Sequence, residues 1–331
     1  MKKRYVTLMD NTPKVSILVV SYNTRDMTLD CLRSVEAETT VPHELIVLDN
    51  LSTDGSADAI AAEFPHITLL PAEENHGFAK GNNIAAKHAR GEYLLLLNPD
   101  TVVLDQAIDR LVEFAERAPQ ARIWGGRTLY GDRSLNPGSC WRRMSLWNIF
   151  CRTSGLTGIF PQSAIFNSEA YGGWDRRTER KVDIVCGCFL IIRREDWQIL
   201  GGFDPRFFMY GEEADLCLRA ARVLNAVPQV TPTATIIHYG GASEKVRSDK
   251  MVRLLSAKGE LITRHIPRLY QPLAWMLFRR WPYVRKLAFA LRGRNHESTQ
   301  VWNEIWNRRA EWQSGYSHSR SESSEHRAND Y

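Results

Sequence analysis

The stretch Val15–Ser21, VSILVVS, is a continuous apolar run rich in β-branched residues. That is the composition of a strand covered on both faces, as in a parallel sheet. ELIVLD (Glu44–Asp49), ITLLP (Ile67–Pro71) and EYLLLL (Glu92–Leu97) repeat its character. Between these runs the spacing predicts helices near Thr28–Ala37, Ser56–Glu63 and Phe78–Ala89, the second preceded by the turn and cap chemistry of Asp54-Gly55-Ser56. Alternation of strand and helix argues for an α/β fold with a mostly parallel sheet flanked by helices. Ligands in such sheets bind beyond the carboxyl ends of the strands.

Beyond the first hundred residues the pattern changes. Residues 127–180 are rich in Gly, Ser, Arg and Trp without clear periodicity and read as long loops. Val182–Arg194 restores a strand, a helix is expected over Glu213–Leu224, and Thr235–Gly241 reads as a short last strand ending in a turn. From Glu244 the pattern is helical and basic, with breaks expected at Pro267, Pro272 and Pro282. The expected organisation is an arm (1–13), a catalytic domain (14–243), a basic helical segment (244–313) and a disordered tail (314–331) with almost no apolar content.

At 44% hydrophobic and 24% charged the chain reads as folded rather than disordered. No run of 18 apolar residues marks a spanning helix, and the basic first residues lead into no export signal. The six cysteines show no CxxC or zinc-finger spacing and are expected to be reduced, which together suggests a cytoplasmic protein. The net charge of +5 is unevenly placed, because residues 244–312 hold 15 Lys and Arg against 6 Asp and Glu. A basic segment beside an acidic body suggests a local anionic partner, lipid or nucleic acid.

Polar residues fall where strands end: Ser21-Tyr22-Asn23, Asp49-Asn50 and Asn98-Pro99-Asp100. Each alone could be a turn or a helix cap. Together at one sheet edge they suit a nucleotide, with Ser21, Asn23 and Asn98 among its expected contacts. Asp100, on a turn after a buried strand, can hold Mg²⁺ or Mn²⁺ through one oxygen and leave the other positions to water and diphosphate. His238 could be a second ligand, although on chemistry alone a surface histidine is the simpler reading. The run Tyr210-Gly211-Glu212-Glu213-Ala214-Asp215 crowds three carboxylates beside apolar Phe207, Phe208 and Met209. They could merely complement a helix dipole. Crowding beside apolar residues also disfavours ionisation, which is how a carboxylate becomes a general base.

These segments occur in a recognisable order: VSILVVSYN, VLDNLSTDGS, ENHGFAKGNN, LLLLNPD, GGFDPRFFMYGEEADLCLR and IIHYGGAS. Over roughly residues 14–245 the chain resembles glycosyltransferase family 2, most closely its bacterial rhamnosyltransferase-like members. The resemblance implies a GT-A fold, inversion at the anomeric carbon and a divalent cation. It also implies that Asp49 contacts the nucleobase, that Asn75, Gly77 and Asn83 lie along the nucleotide, and that Asp100 and His238 bind the metal. Three departures stand out. The family's Asp-x-Asp element is Asn98-Pro99-Asp100, and its Glu-Asp pair is Glu212-Glu213, with Glu213 at the catalytic aspartate's place. Ile184 stands where relatives often carry tryptophan near the acceptor.

The resemblance implies transfer of a sugar, rhamnose first, from a nucleoside diphosphate to a glycan or lipid-linked glycan in cell-surface polysaccharide assembly. Alternatives are another donor, such as a galactofuranosyl or hexosyl nucleotide, or a non-catalytic sugar-nucleotide-binding protein. A dehydrogenase is disfavoured because no GxGxxG follows the first strand. Trp275–Arg294 interleaves aromatic and aliphatic residues with Arg and Lys, as a helix lying on an anionic membrane does, the alternative being a helix packed on the catalytic domain with a solvated basic face. That gives an expected site at the inner face of the plasma membrane. Nucleic acid is disfavoured because no recognised binding motif accompanies the charge.

Overall fold

A computed structural model describes residues 12–240, 247–291 and 297–317. Most of the expected arm and most of the expected tail lie outside these residues.

The first four strands are β1 (Val15–Ser21), β2 (His43–Asp49), β3 (Thr68–Pro71) and β4 (Tyr93–Leu97). They are joined by α1 (Arg25–Glu38), α2 (Ser56–Glu63) and α3 (Gly77–Ala86). β2 and β4 flank β1 in parallel, and Ser21 stands beside Asp49 in the register. Side chains alternate between the two faces, as the period of a strand requires. Ile17, Val19, Leu95 and Leu97 pack towards α1 and α2, while Leu18, Leu94 and Leu96 pack towards α3.

Then come β5 (Thr101–Leu104), α4 (Ala107–Arg117), β6 (Ile123–Leu129), β7 (Leu135–Asn136) and β8 (Cys140–Trp141). The region read as loops holds two helices, α5 (Leu146–Thr153) and α6 (Leu156–Ile159). Ser145 caps α5 through a reciprocal pair with Asn148. This helix is too short for its periodicity to stand out, and it forms because Ile149 packs into a core supplied from the far end of the chain.

Next are β9 (Arg180–Lys181), β10 (Ile184–Val185), β11 (Phe189–Arg193), α7 (Arg194–Leu200), α8 (Glu212–Val223) and β12 (Gln229–His238). The expected strand 182–194 is thus split around Cys186-Gly187-Cys188. The sheet runs β3-β2-β1-β4-β11-β6-β12-β5, with β11 antiparallel to β4 and β6, and β12 antiparallel to β5. It is the expected α/β arrangement with an antiparallel insertion.

The basic segment forms α9 (Arg247–His265), α10 (Gln271–Ala290), α11 (Glu297–Asn307) and α12 (Arg309–Trp312). Pro267 separates α9 from α10, and Pro272 sits in the first turn of α10, where its missing N–H costs nothing. Pro282 does not break α10, contrary to the sequence reading. Its neighbours Phe278 and Trp281 are buried, and their packing offsets the lost backbone bond. These helices share a core of their own with α5, built from Val252, Leu255, Ala274, Phe278, Ile305 and Trp312. Gly315–Ser317, where the tail was expected to begin, forms a 3-10 turn on α9, with Gly315 seated against the backbone of Glu260. The six cysteines are free.

Candidate functional site

Beyond the carboxyl ends of β1 and β4 lies a cleft of about 440 Å³. Strand register explains how residues far apart in sequence meet there. The turn Asn98-Pro99-Asp100 joins β4 to β5, and β5 pairs with β12 so that Thr101 stands opposite His238. Tyr239 N–H donates to the Asp100 carbonyl at 3.0 Å. The two side chains therefore face each other, with His238 Nε2 3.3 Å from Asp100 Oδ1 and 3.3 Å from Asn98 Nδ2.

Burial opposes ionisation of Asp100, but the hydrogen bond and charge of His238, with two backbone amides, outweigh it and hold the carboxyl below its usual range. Burial likewise opposes the His238 imidazolium, and Asp100 more than offsets it. Asn98 Oδ1 is buried without a protein partner. A carboxylate, an imidazole and an amide oxygen around one point suit a hard divalent cation that completes its shell with water and diphosphate. Among the described residues no group of three or more His, Cys, Asp and Glu forms a closed metal cage.

The opposite wall is the loop Phe207–Gly211 and the start of α8. Gly77 opens α3 at φ +70°, and a Cβ there would lie 2.4 Å from the Phe208 carbonyl oxygen. Only glycine lets the loop come this close, and Phe78 N–H then donates to that same carbonyl at 2.8 Å. Tyr210 and Gly211 both have positive φ, which turns the chain sharply into α8. Glu212 and Glu213 are thereby aimed into the cleft.

The three carboxylates of this run have different fates. Burial, and then the charge of Glu213, push Glu212 well above the usual carboxylate range, and its Oε2 has no partner. Burial raises Glu213 as well, against the backbone amides of Glu213, Gly211 and Ala214. Asp215 is fully buried and lies below its ordinary range. Burial alone would raise it, but His265 at 2.8 Å, Arg219 at 2.6 Å and Arg264 at 3.3 Å hold it ionised. Asp215 is a structural anchor, and the other two carboxylates face the cleft.

Of the residues expected along a nucleotide, Asn75, Gly77 and Asn98 line the cleft. Ser21, Asn23, Asp49 and Asn83 stand behind or beside it. Ser21 shares hydroxyl contacts with Thr24 and Thr28. Asn23 accepts from the Thr53 N–H and anchors the loop before α2. Both ends of the Asn83 amide are bound to the Phe203 backbone, which fixes the turn before the Phe207 loop. Asp49 Oδ2 accepts from Ser52 N–H, while its buried Oδ1 has no protein partner. Ile184 is buried in β10 and lines a separate cavity behind α8 with Arg143, Arg222 and Arg264.

Asn50, expected at the polar sheet edge, organises the Asn75–Gly77 turn, donating to Asn75 Oδ1 at 2.9 Å and accepting from His76 N–H at 2.8 Å. Sequence reasoning missed other residues at or beside the cleft. Lys250 and Arg253, one turn apart on α9, line the cleft beside Tyr210 and Phe208. Only their i,i+3 spacing in a basic helix hinted at a shared face. Tyr316 reaches the same loop from the far end of the chain: its hydroxyl donates to the Met209 carbonyl at 2.9 Å, and its ring packs edge-on against Phe207. Nothing local in the sequence marked it.

Residues 16–200 match the family described as Glycosyl transferase family 2. Among curated relatives, O-antigen biosynthesis protein RfbC of Myxococcus xanthus is 30% identical over 71% of this chain, which spans 18% of that protein. N-acetylglucosaminyl-diphospho-decaprenol L-rhamnosyltransferase of Mycobacterium tuberculosis is 26% identical over 69% of this chain and 76% of its own length. Rhamnosyltransferase WbbL of Escherichia coli is 25% identical over 68% of this chain and 83% of its own. A solved mannosyltransferase from Pyrobaculum calidifontis, in complex with GDP-Man and Mn²⁺, shares the fold with a TM-score of 0.54 over 92% of this chain and 86% of its own, at 17% identity.

Proposed function

The chain belongs to glycosyl transferase family 2, and from that premise we propose that it inverts the anomeric carbon of a nucleoside-diphosphate sugar, rhamnose first among the candidates, while transferring it to a hydroxyl of a glycan or lipid-linked glycan. Cell-surface polysaccharide assembly is the setting that the rhamnosyltransferase relatives support. The observation that carries the reading is the placement of Asp100 and His238 on one wall of a single cleft and Glu212 and Glu213 on the other. Metal-ligating and proton-accepting groups must flank the reacting carbon from opposite sides for inversion.

Asp100 and His238 would hold Mg²⁺ or Mn²⁺, with Asn98 beside them. Such an ion, when bound, neutralises charge building on the leaving diphosphate. Lys250 and Arg253 add positive charge to the same cleft. Glu213 takes the proton of the acceptor hydroxyl as its oxygen forms the bond to the anomeric carbon and the bond to the diphosphate breaks. Burial opposes ionisation of Glu212, which tempers the negative charge beside the base. The unpartnered Oδ1 of Asp49 supports its role towards the nucleobase.

Among the described residues no helix is long and apolar enough to cross a membrane. We place the enzyme peripherally on the inner face of the plasma membrane, held by the basic α10, where a lipid-linked acceptor would be presented. A panel of nucleoside-diphosphate rhamnose, galactofuranose and hexose donors, assayed for binding and turnover, tests the donor. Turnover of rhamnose donors alone is expected. Preference for another sugar overturns the donor assignment, and binding without turnover of any donor overturns the catalytic reading.

A further inference from the structure

Two stretches of the chain contain no Asp or Glu: residues 133–168, with Arg133, Arg142, Arg143 and Arg152, and residues 261–291, with six Arg and Lys between Arg264 and Lys286. The fold brings them together. α5 packs along α10, where the Thr153 hydroxyl donates to the Leu277 carbonyl at 2.9 Å, and Gly158 of α6 lies near the Arg285 guanidinium.

Both stretches expose apolar side chains on the side away from their shared core. α10 buries Ala274, Phe278 and Trp281, yet its other face carries Leu273, Met276, Arg280, Val284, Leu287 and Leu291, spaced as one helical stripe. All but Arg280 are apolar, and Leu291 is 90% exposed. On the α5–α6 elbow Trp147, Phe150 and Phe160 are exposed, Ile159 is 66% exposed and Ile165 63%. Rings of this elbow support one another: Phe160 lies 5.2 Å from Phe166, and Trp147 lies 5.8 Å from Phe150. Isolated exposed apolar residues are ordinary, but adjoining groups on neighbouring elements mark an interaction surface.

We propose that the α5–α6 elbow is a second membrane-inserting element, which joins the outer face of α10 in one docking surface for a bilayer containing anionic phospholipid. The proposal rests on the peripheral-membrane reading above and extends it to a segment more than a hundred residues away in sequence. Charge selects the occupant. Arg143, Arg152 and Arg264 are answered by Asp183, Glu169 and Asp204, but a second copy of the chain would still bring the exposed Arg268 and Arg280 of this surface against their own kind. A nucleic acid would satisfy the arginines but leave Ile159, Ile165, Leu273 and Leu287 in water. A lipid surface meets both demands, with acyl chains for the apolar side chains and head groups for the cations.

The test uses the full chain and sedimentation with phosphatidylcholine vesicles, with and without phosphatidylglycerol. The wild type should bind only the anionic vesicles. The elbow variant Ile159→Ser/Phe160→Ser/Ile165→Ser and the α10 variant Leu273→Ser/Leu287→Ser should each reduce binding by about tenfold. Unchanged melting temperature and donor hydrolysis without vesicles identify folded samples, and Ile159→Ser alone replaces the triple variant if that misfolds. An elbow variant that binds like the wild type while the α10 variant does not overturns this inference and leaves the peripheral reading intact. Wild-type protein that ignores anionic vesicles overturns both. A concentration-dependent dimer that either variant dissociates assigns the surface to a second copy and overturns the lipid proposal.

Discussion

The two walls of the cleft are built by opposite means. On one side Asn98 and Asp100 follow β4 directly, and Tyr22 and Asn50 stand just past β1 and β2, so a buried strand sets the position of each. On the other side Glu213 and Lys250 come from separate segments, and the loop with positive φ at Tyr210 and Gly211 that turns into α8 is braced from a third by Tyr316. The first wall draws its rigidity from the sheet. The second depends on contacts between elements distant in sequence, so it is the wall that substitutions far from the cleft can move. His238 joins the first wall from far along the chain, reaching Asp100 only because β12 pairs with β5.

Removing the strand-end carboxylate should have the largest effect. Asp100→Ala should lower transfer by about 10³-fold or more, because Asp100 would hold the cation whose stabilisation of the diphosphate grows as the leaving group gains charge. The thermal midpoint should barely move, since the turn is held by main-chain bonds such as Tyr239 to Asp100. Chelation should inhibit the wild type, with Mg²⁺ or Mn²⁺ restoring it, and His238→Ala should be milder. Full turnover in chelator would remove the metal from this wall.

The next effect belongs to the assembled wall. Glu213→Gln should reduce turnover by about 10²-fold with donor affinity little changed. The pH dependence has a definite sign. Burial raises the Glu213 pKa, and a base works only when deprotonated, so activity should fall with decreasing pH at values above the usual carboxylate range. Glu213→Asp should keep appreciable activity. A larger loss in Glu212→Gln than in Glu213→Gln would shift the base by one residue.

This contrast between walls also explains what was legible in the sequence. VSILVVS and EYLLLL announce strands because both faces of each are buried, and polar residues directly after them are at the sheet edge by necessity. α5 was hidden because Ile149 is satisfied by Phe278 and its neighbours far along the chain. Ser21 reads as a ligand contact, whereas in the structure its hydroxyl meets Thr24 and Thr28, since a polar residue near a strand end can face the cleft or brace it. Asn83, named by the family resemblance alone, lies within α3 and binds the Phe203 backbone. Lys250 and Arg253 were absorbed into an overall basic charge. No local pattern separates cations that face a cleft from those that face solvent.

A third prediction concerns the joint between the catalytic domain and the C-terminal helices. Glu169, nearly buried, meets Lys258 of α9 at 2.5 Å and Arg152 of α5 at 2.7 Å. Burial opposes its ionisation, but the charges of Arg152 and Lys258 lower its pKa to about 2. A depressed carboxylate adds stability that is fully present above its unfolded value, near 4.5, and lost as pH falls towards 2. The contribution at neutral pH is on the order of 3 kcal/mol, so Glu169→Gln should lower stability and flatten its decline between those pH values. Chemical denaturation across that range measures both. An identical acid limb in variant and wild type would mean that this pair does not join the two parts.

The smallest effect is the sharpest test of the assembled wall, because it removes one oxygen. Tyr316→Phe keeps the ring against Phe207 but deletes the hydroxyl that donates to the Met209 carbonyl. Gly315 stays seated on Glu260, so the turn itself should persist. A hydrogen bond of this kind contributes roughly 1 kcal/mol, which sets the expected loss at about fivefold. Where that loss falls distinguishes two cases. If the bond only stabilises the fold, the melting temperature drops and kinetics measured well below it are unchanged. If it fixes the loop that turns into α8, kcat falls while donor KM stays near its wild-type value, because the strand-end wall holding the nucleotide is untouched. Tyr316→Ala should deepen the kcat loss by releasing Phe207, and equal kinetics in all three proteins would show that α8 holds Glu213 without help from the end of the chain.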